Sequence, residues 1–463
     1  MTILEAASAL RKKELSSLDL TVESLNRIAR QNPKLNAFLT VLDEQARLRA
    51  NQTDKERSDG IDRGPLHGIP IAVKDVFYMR GIRTTGGSKL FADFVPDFDA
   101  AVVERLQAAG AVIVGKTGLH ELAFGVTSNN PHFGAVRNPW NLERIPGGSS
   151  GGSGSAVGAH LVFMATGNDT GGSVRVPASY CGTVGLKPTF GRISRYGILP
   201  LDFSLDHAGI LTRTVRDTAV TLNVLAGHDS RDDTCSPEGV EDYSIPPEVS
   251  IRDVRIGWPE SLNSEEVDVE VAQSITRMVR VAERLGARLV PISLPDRDAI
   301  NAVHRVILHS EVSALMQPHL GQRDKFSSDL LALLQQGCLL SATDYVNAQR
   351  LRRLMMREWS EACAQVDCVI TPTTPIAAPR IGKSTVLVGG EERDLRLATT
   401  NLVRAANLLG LPAISIPCGF NREGLPLGLQ ITGKPFEEGR ILRIAAALED
   451  ATDFHRRLPP ILS

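Results

Sequence analysis

The sequence predicts an α/β protein, and three observations carry that prediction. Residues 69–74 form a short apolar run ending in charge, an amphipathic stretch follows at 101–109, and a second apolar run lies at 111–116. The same strand–helix–strand order returns at 254–258, 267–285 and 287–292. Two late apolar runs, 413–417 and 427–432, are separated by turn residues and read as adjacent strands. Alternation of this kind buries one apolar face of each helix against a sheet.

Taken in order, residues 2–60 read as helical. Ser16 and Ser17 supply a cap, Val22, Leu25 and Ile28 recur at helical spacing, and Asn32-Pro33 is expected to end the helix. Gly68 opens a turn into the buried strand 69–74, which places Lys74 at its tip. Residues 156–166 (AVGAHLVFMAT) predict a buried helix or a helix followed by a strand. Residues 295–360 read as helical, with Ala302, Val306 and Leu308 at the start and Leu330 to Leu334 further on. Residues 368–373 are strand into loop, 374–394 a surface loop or short hairpin, and 439–448 a closing helix.

The chain has 463 residues, 42% hydrophobic and 22% charged, and a net charge of −2. That balance gives no field to attract nucleic acid or an anionic membrane. Length alone allows about three domains, but no linker separates two complete patterns. No run of about 18 apolar residues exists, and the N-terminus lacks the features of a signal peptide. The six cysteines (Cys181, Cys235, Cys338, Cys363, Cys368 and Cys418) are scattered, with no CxxC pair. Neither a zinc site nor a disulfide framework is expected, and the cysteines read as reduced thiols in a cytoplasm.

The stretch 147–155 (GGSSGGSGS), followed by 169–173 (DTGGS), is where chemistry is expected. A flexible linker is disfavoured by the core-like segments on both sides. A phosphate loop needs a lysine that this stretch lacks. Residues 110–117 do match GxxxxGKT, but their four central residues, AVIV, read as a strand. A nucleophile elbow centred on Ser149 or Ser150 needs a preceding strand and a histidine base. Here a loop precedes, and His207 beside Asp206 reads better as a structural histidine. The third option is a lysine base, which works only if burial brings its pKa towards neutrality. Lys74 fits, and Thr170, Gly171, Gly172 and Ser173 supply backbone N–H groups for an oxyanion beside the Ser173 hydroxyl. The glycines are read as letting a substrate carbonyl approach the backbone closely.

These residues resemble the amidase signature family. The resemblance runs through 70–74 (PIAVK), 115–121 (GKTGLHE), 138–154 (NPWNLERIPGGSSGGSG), 169–175 (DTGGSVR), 177–188 (PASYCGTVGLKP), 191–196 and 206–209, and continues at 410–417 and 424–433. It implies one domain over 1–463, with an N-terminal helical segment at about 1–60, a signature core at about 65–215 and variable substrate-side segments at about 295–400. It implies a single mixed sheet of roughly eleven strands covered by helices on both faces. It implies a Ser–cis-Ser–Lys triad of Ser173, Ser149 and Lys74, a cis bond between Gly148 and Ser149, and an oxyanion hole from the N–H groups of Thr170, Gly171, Gly172 and Ser173. Ser150, Asp169 and Arg175 are expected to support these loops. No metal or organic cofactor is implied, and a homodimer fits the family.

The family includes stand-alone amidases and the A subunit of glutamyl-tRNA amidotransferase. The latter usually has glutamine after the arginine following the nucleophile, and here the residue is Val176. The segments 310–345 and 374–400 offer no obvious cation for a glutamine carboxylate; Arg404 could supply one, but an arginine on a helix at 402–409 reads more ordinarily as a solvated or structural charge. The expectation is therefore an independent amidase acting on a small-molecule amide, anilide or carbamate, without nucleic acid or membrane. The alternative is the glutamine-hydrolysing A subunit. Leu308, Leu315, Met316, Leu333 and Leu334 are candidates for an apolar substrate wall, though helix core is the more ordinary role.

Overall fold

The computed structural model describes residues 1–259 and 267–462. Eleven strands form one mixed sheet in the spatial order Phe38–Val41, Val112–Thr117, Pro70–Lys74, Met164–Asp169, His207–Thr212, Val184–Lys187, Ala413–Phe420, Pro426–Thr432, Cys368–Pro372, Arg255–Pro259 and Arg288–Ile292. Parallel pairs join the three strands Val112–Thr117, Pro70–Lys74 and Met164–Asp169. A second parallel group lies at the far edge, and the middle is antiparallel.

Both faces of the sheet are covered, which explains the continuous apolar strands. Ile71, Val73, Ile113 and Met164 enter one apolar cluster. Ala72, Val112, Val114 and Ala165 enter another, with Leu25, Ile28, Ala156 and Val157. This is the period of two expected of a strand buried on both sides. Between Ile71 and Ala72 the register slips: Ile71 pairs with Ile113, but Ala72 pairs with Gly115. Val114 is the extra residue of a bulge, and beyond it the facing of every side chain on its strand is reversed.

The expected elements appear with two corrections. The N-terminal segment is not all helix, because Phe38–Val41 pairs antiparallel with Val112–Thr117 as the edge strand. The helix Ser17–Leu35, capped by Ser16, also runs through Pro33. Proline there removes one hydrogen bond in the last turn, and burial of Leu35 holds the turn in place. Asn36, in the left-handed conformation, ends the helix.

Residues 156–166 are helix then strand, but the helix Gly151–Gly158 begins inside the glycine–serine run. The segment 295–360 holds three helices, Arg297–Met316, Ser328–Cys338 and Ala342–Ala362. The hairpin Thr385–Val388 with Glu391–Asp394 lies within 374–394. Leu308, Met316 and Leu334 are buried in the main core, with Leu315 and Leu333 packed against it. They are helix core, which removes them as a substrate wall. Among the described residues, no helix is long and apolar enough to cross a membrane.

Candidate active site

Four backbone segments meet at the end of the strand Pro70–Lys74. Lys74 leaves the sheet on the face of Ala72, towards the helix Gly151–Gly158, and is fully buried. Its own N–H donates to Thr166 Oγ1 at 3.0 Å. Its Nζ lies 2.7 Å from Ser149 Oγ, 2.9 Å from Ser150 Oγ and 2.6 Å from Asn168 Oδ1. Burial pushes the Lys74 pKa well below its ordinary value, while Asp206 and Asp169 pull it back from a distance.

The direction of each hydrogen bond follows from its partners. Asn168 Oδ1 is an acceptor only. The Ser150 hydroxyl donates to the Asn168 carbonyl at 3.3 Å, so its oxygen receives an N–H from Lys74. A neutral amine has two N–H groups and one lone pair, and these two acceptors use both N–H groups. The lone pair is left for the Ser149 hydroxyl.

The peptide bond between Gly148 and Ser149 is cis. The loop is held from outside: Ser128 Oγ donates to the Gly147 and Ser149 carbonyls at 2.9 and 3.2 Å, and the His120 N–H donates to the Ser149 carbonyl at 3.1 Å. The glycines of this loop are fixed by close packing. A Cβ on Gly148 would stand 2.8 Å from the Val126 carbonyl carbon, and one on Gly152 2.4 Å from the Gly118 N and O. The protein's own backbone, rather than a substrate, demands glycine at these positions.

The loop that carries Ser173 follows the strand Met164–Asp169. Ser173 is 8% exposed, and its carbonyl receives the Ser150 N–H at 3.1 Å, tying the two serine segments together. Asp169 is the organiser. Its carboxylate accepts from the N–H of Gly172 at 2.8 Å and of Val174 at 3.0 Å, and from Arg175 Nε and Nη2 at 3.1 and 2.9 Å. Burial alone would raise its pKa, but Arg175 and Lys187 hold it far below the usual carboxylate range. Arg175 carries this order to the C-terminal half, donating to the Val403 carbonyl, Gln430 and Asn407.

The expected oxyanion hole needs one correction. The Gly172 N–H is occupied by Asp169, so it is not free for a substrate oxygen. The N–H groups of Thr170, Gly171 and Ser173 carry no such bond among the described residues. Thr170 is fixed by its hydroxyl, which donates to Asp206, and by its carbonyl, which accepts from His304 Nε2 at 2.9 Å. His304 is buried and its pKa is lowered to about 3 by burial and by Arg404. It is therefore the neutral tautomer with hydrogen on Nε2.

The other candidate residues are structural. His207 bonds the Leu205 carbonyl through Nδ1 at 2.7 Å and meets the Phe190 ring edge-on, with no contact to the serines. The GxxxxGKT match lies in the strand Val112–Thr117, where Lys116 bonds the Phe77 carbonyl and Thr84. Val176 is fully buried in an apolar cluster with Tyr180 and Val403, so it says nothing about substrate contact. All six cysteines are unpaired. Arg404 is 6% exposed, which corrects its reading as a solvated charge.

The residue that sequence reasoning missed is Asn168. Thr166 and Asn168 are two apart on one strand and so share a face. That face is the one turned to Lys74, and the period of two was the available signal.

A family model described as Amidase matches residues 19–442. The chain is 40% identical to the A subunit of the glutamyl-tRNA(Gln) amidotransferase of Geobacillus thermodenitrificans, over 99% of this chain and 98% of that one. Among solved structures it is similar to a chain from a vestigial protein complex bearing on the origins of an s-triazine catabolic enzyme. That match has a TM-score of 0.92 and 34% identity, over 97% of this chain and 98% of the other. The A subunit of the glutamyl-tRNA(Gln) amidotransferase of Thermotoga maritima matches with a TM-score of 0.85 and 33% identity, over 100% and 98%.

Proposed function

The chain belongs to the amidase family and is a carbon–nitrogen hydrolase, and on that premise we propose that it works as a serine amidohydrolase through Ser173, Ser149 and Lys74. The observation that carries this reading is the environment of Lys74. A lysine buried among two hydroxyls and an amide, with no carboxylate in contact, is suited to be a neutral base.

The steps follow from that. Lys74 takes the Ser149 hydroxyl proton while Ser149 takes the proton of Ser173. The Ser173 oxygen attacks the amide carbon, and the carbonyl electrons move to an oxyanion held by the N–H groups of Gly171 and Ser173, with Thr170 beside them. Each well-aimed donor contributes about 3–4 kcal/mol to the transition state. The C–N bond breaks as Ser149 passes its proton to the leaving nitrogen, and Lys74 returns its own to Ser149. Water then cleaves the acyl-enzyme by the same relay. Ser150, Asp169 and Arg175 position these groups without exchanging protons with the substrate.

Within this chemistry, the best-supported reading is release of the nitrogen of a primary carboxamide by a chain of the amidotransferase type. Identity of 40% along nearly the whole chain supports it. An independent amidase is the second reading, supported by the likeness to an amidase structure at a TM-score of 0.89. The test is hydrolysis by the purified chain, with and without Ser173→Ala, of glutamine, a primary aliphatic amide, an anilide and an aryl carbamate. Ammonia release from the primary amides alone, lost in Ser173→Ala, supports the first reading. Turnover of the anilide or carbamate moves the assignment to the second. Activity that survives Ser173→Ala removes Ser173 as the nucleophile.

A further inference from the structure

We propose that Arg404, with Arg396 and Arg305, forms an anion-binding subsite that selects amides whose acyl part ends in a carboxylate. This deepens the amidohydrolase reading and rests on it.

The cluster is placed by three elements. Arg404 opens the helix Arg404–Leu408, Arg396 lies on the helix Leu395–Thr400, and Arg305 follows His304 on the helix Arg297–Met316. Arg404 stands directly over the nucleophile loop, with its Cγ 3.8 Å from where a Gly171 Cβ would be. His304, which fixes the Thr170 carbonyl, fills the rest of that space at 3.1 Å. The site therefore adjoins the proposed oxyanion N–H groups.

Arg404 has no structural employment. A buried guanidinium ordinarily has carboxylate or carbonyl partners, as Arg175 has. Arg404 is more than nine-tenths buried, yet its guanidinium has no hydrogen bond or ion pair among the described residues. Its nitrogens are not fully sealed from solvent either. Among the same residues, Arg396 and Arg305 likewise have no side-chain partner in hydrogen bond or ion pair. Burial, and then the charges of Arg396 and Arg305, lower the Arg404 pKa to about 9. It remains a cation at neutral pH, and an anion would relieve the repulsion.

Among the described residues, the cluster offers no matching site for an ammonium group. Asp394 acts on Arg404 and Arg396 but pairs with neither, and it spends an oxygen on the Leu397 N–H at 2.8 Å. The preferred substrate is thus a dicarboxylic acid monoamide, with the α-amino group of an amino acid amide contributing nothing.

The experiment compares glutaramate, its uncharged analogue pentanamide, and glutamine. Wild type is expected to favour glutaramate over pentanamide by about 30-fold in kcat/KM, the worth of one charge-assisted hydrogen-bonded pair. Glutamine is expected to be no better than glutaramate. Arg404→Gln should bring the glutaramate and pentanamide values towards parity, and Arg404→Lys should keep part of the preference. If Arg404→Gln does not fold by circular dichroism, Arg396→Gln gives the same reading with a smaller loss. A binding arm uses Ser173→Ala, in which calorimetry should detect glutaramate but not pentanamide, with affinity falling as sodium chloride rises. Parity in wild type, a preference that survives Arg404→Gln, or equal or absent binding of the two amides overturns the proposal. Activity that survives Ser173→Ala strikes the catalytic assignment instead and leaves the preference to be read from the same rates.

Discussion

Lys74 ends its strand, Lys116 is the last residue but one of the neighbouring parallel strand, and both are fully buried. Their surroundings are opposite in kind. Lys116 Nζ lies 3.1 Å from Asp75 Oδ1 and bonds the Phe77 carbonyl and Thr84 hydroxyl at 2.8 and 2.7 Å. Lys74 meets two serine hydroxyls and an amide oxygen. Burial lowers both pKa values, but only at Lys116 does a carboxylate in contact oppose it. One lysine is thereby held beside a counter-charge, and the other is left with neutral partners alone. Burial alone does not make a base; burial without a counter-charge does.

The bulge at Val114 separates the two. The register slip sends Lys116 to the face of Val73 and Phe77, while Lys74 stays on the face of Ala72 with Thr117. Thr117 in turn bonds Ser153 of the helix Gly151–Gly158 at 2.7 Å. Were the register unbroken, Lys116 would pair with Lys74 and share its face.

Substituting each lysine breaks the comparison most directly. Lys74→Met should lower kcat by about 10³- to 10⁴-fold in a steady-state assay at pH 8, with the fold retained. In wild type, kcat/KM should fall as pH drops through the lowered pKa of Lys74, because the base is then protonated. Stability has the matching sign. The folded-state pKa lies below the ordinary 10.5, so the unfolded chain holds the extra proton between the two values. Wild-type stability should rise with pH across that window and level off above it. Urea unfolding of Lys74→Met should lack this slope, and an identical slope would show that Lys74 is charged in the folded protein.

Lys116→Met should do the reverse. It leaves Asp75 buried and uncompensated, at a cost of about 3–5 kcal/mol in urea unfolding. The protein that remains folded should keep its kcat.

Asn168→Asp sharpens the contrast by giving Lys74 the kind of partner that Lys116 has. A carboxylate 2.6 Å from Nζ should hold Lys74 charged. Activity at pH 7 should fall by about 100-fold and recover as pH rises, with the acid limb of the profile moved up by more than about one unit. A uniform loss at every pH would mean that Asn168 acts only on packing.

Ser150→Ala is the smallest change. It removes one of the two acceptors that orient the amine and should lower kcat by about 10-fold or less, read at saturating substrate. A loss as large as that of Lys74→Met would place Ser150 in the proton path.

Part of this was legible in the chain. Apolar runs at 69–74 and 111–116 marked buried strands, and the glycine–serine stretches with Lys74 marked the site. The edge strand Phe38–Val41 was not legible, because four residues without alternation carry no period. Nor was the passage of a helix through Pro33, which depends on burial of Leu35. Gly172 could not be removed from the oxyanion hole by spacing, since the N–H is taken by a side chain three residues earlier. Arg404 read as either a solvated or a structural charge because nothing local says what a helix residue faces.

The sequence by itself determined most of the strands and helices, the family and the residue types available for catalysis. These follow from local periodicity and from short motifs whose chemistry is contained in a few adjacent residues. Only the tertiary structure decided which buried lysine is left without a carboxylate partner. That choice depends on groups 75 to 94 residues away from Lys74, on one inserted residue at Val114, and on where Asp75 falls. Electrostatic free energy depends on distances in space and on excluded water, and neither is written in the order of the residues.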